Sequence, residues 1–112
     1  MDTDLNNVVL TGTPDRNPIT RFADHGTQQV SFTLRVTEAG PAGQEFKLFV
    51  PCEAYGQAGE LAGELAAGEA CLVSGKLKWT SYTAKDDTKK SNLAVLARLV
   101  KRLAPAAVEV SP

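Results

Sequence analysis

CLVSGKLKWTSY, residues Cys71 to Tyr82, opens with residues suited to a strand, reaches a glycine, and continues through two lysines and two aromatics. Cys71, Val73, Gly75 and Leu77 share one parity under the two-residue period of a β-strand. Gly75 offers a place where such a strand bends sharply, as a small barrel requires. The chain on either side of this strand differs in charge. Residues 1–75 carry four cationic and ten anionic groups, a net −6, whereas residues 76–102 carry eight and two, a net +6. The overall charge of −1 argues against a crude binder of polyanions, and the asymmetry predicts one basic surface on an acidic body.

Upstream, the pattern is that of an antiparallel β-protein. Leu5 to Gly12 reads as a first strand with Val8, Leu10 and Gly12 on one face and Val9 on the other. Thr13 to Pro18 is turn material, Ile19 to Phe22 a short strand, and Asp24-His25-Gly26 a turn. Gln29 to Thr37 alternates cleanly: Val30, Phe32, Leu34 and Val36 form a core row, and Ser31, Thr33, Arg35 and Thr37 a wet one. Glu38 to Gln44 is a hairpin loop. Phe46 to Tyr55 follows, with Leu48, Val50, Cys52 and Ala54 as its core row and Pro51 marking an edge or bulge.

From Gly56 to Ala67 the apolar period lengthens: Ala58, Leu61, Ala62 and Leu65 predict a short amphipathic helix, with Gly68 as its cap. After Cys71 to Tyr82 comes a polar loop, Ala84 to Lys90, and a last strand, Ser91 to Leu103, with Leu93, Val95, Ala97 and Leu99 as its core row. Three long strands, a helix and two more strands predict an all-β fold with one short helix, a five-stranded Greek-key OB-fold barrel. The domain is expected to span 1–104, with 105–112 a short flexible tail.

The residues turned away from the core interleave rings with cations: Arg35, Lys47, Phe49, Tyr55, Lys76, Lys78, Tyr82 and Arg98. Single-stranded nucleic acid needs that combination, because bases stack on rings while cations track phosphates. Phe49 reads as a stacking ring, or as part of a second small core or a subunit contact; Tyr55 as a stacking ring or as packing under the helix. Trp79 shares parity with Leu77, so it packs at the barrel rim unless the strand coils or bulges past Gly75, which would turn its ring to the groove. Lys85, Lys89 and Lys90 extend the basic surface or simply solvate a loop that Asp86 and Asp87 partly neutralise.

Catalytic chemistry finds little footing. His25, the sole histidine, sits beside a turn glycine, and Glu60, Glu64 and Glu69 have no histidines near them to complete a metal site. No glycine-rich phosphate cradle is present. Cys52 and Cys71 lack metal-ligand spacing and read as buried free thiols, a disulfide requiring facing Cβ atoms. No catalytic residue, metal or cofactor is therefore expected. The acidic start MDTDLNN and the short apolar runs predict no signal peptide and no membrane partner, with a cytoplasmic or nucleoid-associated location.

From Leu5 to about Leu103 the chain resembles bacterial-type single-stranded DNA-binding proteins, including their smaller primosomal relatives. The likeness is carried in order by Val8-Val9-Leu10-Thr11-Gly12, Asn17-Pro18, Arg21-Phe22, Val30-Ser31-Phe32, Tyr55-Gly56 and Val73-Ser74-Gly75-Lys76-Leu77. It implies an oligomerising barrel, here a homodimer or homotetramer contacting through first-strand surfaces such as Val9. It places Phe49, Tyr55 and Tyr82 at aromatic positions of that family. A family tryptophan after the second strand has no counterpart at Glu38-Ala39-Gly40, and the chain ends at Ser111-Pro112 without an acidic tip. The expected function is binding of single-stranded DNA, with RNA as an open alternative, without strong sequence preference, in replication, recombination or repair. Replication or primosome proteins are conceivable partners. The alternative is a primosomal-type protein-interaction OB module with weak nucleic-acid binding.

Overall fold

The computed structural model describes residues 4–22 and 26–103, apart from the side chain of Tyr82. Six strands and one helix run in the order β1 (Val8–Pro14), β2 (Ile19–Phe22), β3 (Gln28–Ala39), β4 (Glu45–Tyr55), α1 (Gly56–Gly63), β5 (Cys71–Thr83) and β6 (Lys89–Arg102). The sheet order is β1-β5-β6-β4-β3-β2, and a further β1–β3 pairing closes it. The five long strands thus form the expected barrel. β2 is not a sixth stave: Thr13 and Pro14 oppose Arg35 and Leu34, and Ile19 to Phe22 then oppose Ser31 to Gln28. β1 and β2 therefore occupy one edge of β3 in succession. The intervening loop is tied down where Asp15 N–H donates to the Thr33 carbonyl at 2.8 Å and Ala67 N–H donates to Asn17 Oδ1 at 2.9 Å.

Alternation puts Val30, Phe32 and Leu34 of β3, Cys52 and Ala54 of β4, and Cys71 and Val73 of β5 into the core. Both cysteines are buried free thiols. The helix contributes Ala58 and Ala62, and Leu65 follows it into the core. Leu61 does not join them and is 46% exposed, because the buried face of the helix is set by Ala58, Gly59 and Ala62 and Leu61 lies to one side of it. Gly68 belongs to a separate turn and does not cap the helix, whose C-cap is Glu64; its N–H donates to the Pro14 carbonyl at 2.9 Å. The first strand begins at Val8, later than its apolar pattern suggests. Ahead of it, the Asn6 side chain accepts from Leu77 N–H at 2.8 Å and donates to the Leu77 carbonyl at 2.9 Å, replacing a strand neighbour.

Two core rows read from the sequence are displaced. On β6, Leu99 is exposed, while Val100 is buried with Val95 and Ala97. The cause is a one-residue slip: Ser74 opposes Leu99, but Gly75 opposes Ala97, leaving Arg98 as the extra residue. The slip reverses which side chains of β6 face inward on its far side. Leu48 of β4, Leu77 of β5 and Leu93 of β6 are also exposed, for a different reason. β4 and β6 run parallel and meet only at Cys52–Ala54 with Val95–Ala97. Beyond that seam the β3–β4 and β5–β6 hairpins continue as separate arms, and their inward rows outrun the core. Pro51 sits just outside the seam, where β4 has a neighbour on one side only. Asp24 and His25, read as a turn, and the tail at 105–112 lie outside the described residues.

The slip depends on a glycine. A Cβ on Gly75 would overlap the Leu96 carbonyl and come within 3.0 Å of Ala97 Cα, both backbone atoms. At Gly63 the nearest atom to such a Cβ is Thr20 Oγ1 at 3.4 Å, an ordinary contact. Gly75→Ala should therefore cost about 3 kcal/mol and lower Tm by more than about 10 °C, whereas Gly63→Ala should change stability by less than about 1 kcal/mol. Calorimetric unfolding of the two variants checks this; equal Tm values would contradict it.

Candidate nucleic-acid interface

The register places the cation and aromatic positions on rows of the curved sheet. On the outward side of the β3–β4 hairpin, Arg35 opposes Phe49 and Thr37 opposes Lys47. Phe49 is 56% exposed and Tyr55, further along the same row, is 38% exposed, so neither ring is spent on the core. Across the seam, Lys76 and Lys78 oppose Leu96 and Ala94 on the outward row of β5 and β6. Arg35, Lys47, Phe49, Tyr55, Lys76 and Lys78 thus share the outward face of the β3-β4-β6-β5 sheet. Arg35 is half-buried and its guanidinium donates from Nη2 to Thr13 Oγ1 at 3.4 Å, on the β1 side of β3.

The remaining candidates are dispersed. Trp79 is 69% exposed and opposes Leu93, on the other side of the β5–β6 arm with Leu77. That arm face is apolar and distinct from the Phe49–Tyr55 row. The backbone of Tyr82 opposes Lys90 and that of Thr83 opposes Lys89 near the arm tip; the Tyr82 side chain lies outside the described residues. Lys85, Lys89 and Lys90 are exposed there. Asp86 shapes the tip turn, its carboxylate held below the usual range by hydrogen bonds from Thr88. Arg98 is exposed at the slip, where it opposes no residue of β5.

Glu53 is a site residue that the pattern of rings and cations does not reveal. Its Oε1 accepts from Lys78 Nζ at 3.0 Å and from the Tyr55 hydroxyl at 3.3 Å. β6 lies between the two strands, so this pair bridges across it. Ala94, outward by register, is only 2% exposed. The Glu53 hydrogen bond raises the pKa of the Lys78 ammonium, and burial followed by the Glu53 charge raises that of the Tyr55 phenol. Nothing short of the fold could have disclosed this pair, since 25 residues separate its members.

Around β1, a second outward surface forms. Val9, Ser74 and Leu99 are neighbours across β1, β5 and β6, as are Thr11, Leu72 and Lys101. Val9 and Leu99 are 57% and 50% exposed.

The Single-strand binding protein family profile matches residues 5–103. The chain belongs to this family. Its members are binding proteins and not enzymes. The chain is 34% identical over 102 residues to Single-stranded DNA-binding protein 3 of Clostridium acetobutylicum, covering 88% of this chain and 71% of the relative. It is 36% identical over 92 residues to a single-stranded DNA-binding protein of Clostridium perfringens (77% of this chain, 57% of the relative). It is 31% identical over 99 residues to one of Thermus aquaticus (88% and 38%). The chain therefore spans little more than half, or less, of two of these three relatives.

Among the described residues no cluster of three His, Cys, Asp or Glu side chains could hold a metal ion, and no helix is long and apolar enough to cross a membrane. Burial, then the neighbouring Cys71, pushes the Cys52 thiol up to about 12, and burial raises the Cys71 thiol as well. Both thiols should resist an aromatic disulfide reagent at neutral pH and react once the chain is denatured. Because the folded state keeps the Cys52 proton that the unfolded state releases above about pH 9, stability should fall as pH rises from there toward 12. Rapid labelling of the native protein would contradict this.

Proposed function

We propose that the outward face of β3, β4, β6 and β5 binds single-stranded DNA without strong sequence preference, bases stacking on Phe49 and Tyr55. Arg35, Lys47 and Lys76 lie along the same face and would follow the backbone phosphates. Lys85, Lys89, Lys90 and Tyr82 sit on or beside the arm tip, where a strand leaving the face would pass. Trp79 and Arg98 sit off this row and carry less of the binding. The observation that carries the reading is the pairing of a solvent-exposed Phe49 with Arg35 in direct cross-strand register. Six residues of strand separate Phe49 from Tyr55, about 20 Å, room for several unstacked nucleotides. Family membership supports the same chemistry, and a role in replication, recombination or repair is part of the proposal.

Copies of the chain would associate through the outward surface of β1, β5 and β6 that presents Val9 and Leu99 in one row and Leu72 in the next, which leaves the aromatic face free in each copy. DNA is the favoured polymer over RNA because the relatives are single-stranded DNA-binding proteins.

Fluorescence anisotropy of a labelled thymidine oligomer tests the reading. Phe49→Ala and Tyr55→Ala should each lose about 1–3 kcal/mol of binding, that is about fivefold to 150-fold. Trp79→Ala should weaken binding less than either. Equal affinity in folded Phe49→Ala, or a larger loss in Trp79→Ala, would overturn this assignment of the rings.

A further inference from the structure

Within the proposed binding face, Lys78 differs from the other cations: its charge is already taken. Its ammonium lies 3.0 Å from Glu53 Oε1, with side-chain exposures of 31% and 19% for lysine and glutamate. The pair crosses β6 above Ala94 and lies beside Tyr55, whose hydroxyl uses the same carboxylate oxygen. A strand lying along Tyr55 would cover this pair and remove more of its water. Separating the pair there would leave a carboxylate desolvated and unpaired beside phosphates, which is costly. Keeping it intact leaves this part of the face with no net charge.

We propose that Glu53 is a positioning residue that neutralises Lys78 in the bound as well as the free protein. Lys78 then makes no phosphate contact, and the seam around Tyr55 engages a strand through its bases. Glu53 occupies the place that a phosphate would otherwise take on Lys78. This inference rests on the proposed single-strand binding and assigns a division of labour within it. Arg35, Lys47 and Lys76 supply salt-dependent attraction, while Tyr55 and its neighbours supply salt-independent stacking.

The test is affinity for a thymidine oligomer across a salt series, with thermal unfolding as a check on the fold. Glu53→Gln frees Lys78 for a phosphate, so the slope of log K against log salt should steepen by about 0.7 and binding should tighten about eightfold near 50 mM salt. Lys78→Met leaves the carboxylate unopposed, so binding should weaken about tenfold at low salt without the slope becoming shallower. The double variant should return close to wild-type affinity. A merely structural clamp predicts a lower Tm for each variant and no steeper slope for Glu53→Gln. Should Glu53→Gln fail to fold, Lys78→Met alone decides: a slope shallower by about 0.7 would place Lys78 on a phosphate and overturn the inference. That result is distinct from a wild-type chain that binds no oligomer, which would remove the parent proposal itself.

Discussion

A backbone contact that only glycine permits sets the arrangement of this protein. Gly75 lies so close to the Leu96 carbonyl that a Cβ could not be accommodated. The strands slip by one residue there, leaving Arg98 over. The slip lets β6 supply Val95 and Ala97 to one stretch of core and Val100 to the next. It also fixes the outward rows, because a register change on β6 changes which of its residues stand beside β5 and β4. A second close approach, Gly12 against the Arg35 carbonyl, marks where β1 meets β3 and closes the barrel.

Closure leaves two surfaces of different character. Around β1, β5 and β6 the outward residues include Val9, Leu72 and Leu99, apolar and without a candidate stacking ring. Across β3, β4 and the seam with β6 they are Arg35, Lys47, Phe49, Tyr55 and the Lys78–Glu53 pair. The short parallel seam at Cys52–Ala54 explains the geometry of the second surface. It joins two hairpins at the barrel and lets them diverge beyond it, so that one continuous outward face runs from one arm to the other. Local charge follows this division: the cations contributed by the basic last third of the chain do not form one cluster, because β5 and β6 distribute them between the seam, the arm tip and the slip.

Much of the fold was legible in the chain. The alternation of Gln29 to Thr37 identifies its core row without ambiguity, and the change of period after Tyr55 identifies the helix. Gly75 is readable as a bend, but which residue of the partner strand would be left over is not. That depends on the pairing of β5 with β6, so Leu99 looks internal and Val100 external until the register is known. Leu48, Leu77 and Leu93 mislead for another reason: alternation continues past the point where the partner layer ends, and periodicity does not report where a barrel stops. At the site, the exposed positions of Phe49 and Tyr55 follow from parity. The opposite placement of Trp79 follows from parity as well, because the extra residue at the slip falls on β6 and the register of β5 runs unbroken from Gly75 to Thr83. Glu53 escaped notice because it is an acid among expected cations, and its significance arises only when β4 and β5 flank β6.

In the proposed complex, single-stranded DNA lies on the outward face of β3, β4, β6 and β5. Amide chemical-shift mapping of the isotope-labelled full chain with a thymidine oligomer tests this most directly. The largest shifts are expected at Arg35, from Lys47 to Tyr55 and from Lys76 to Thr80, with Val9, Leu72 and Leu99 little changed. Shifts concentrated at Val9, Leu72 and Leu99, with Phe49 and Tyr55 unmoved, would put the strand on the β1–β5–β6 surface instead.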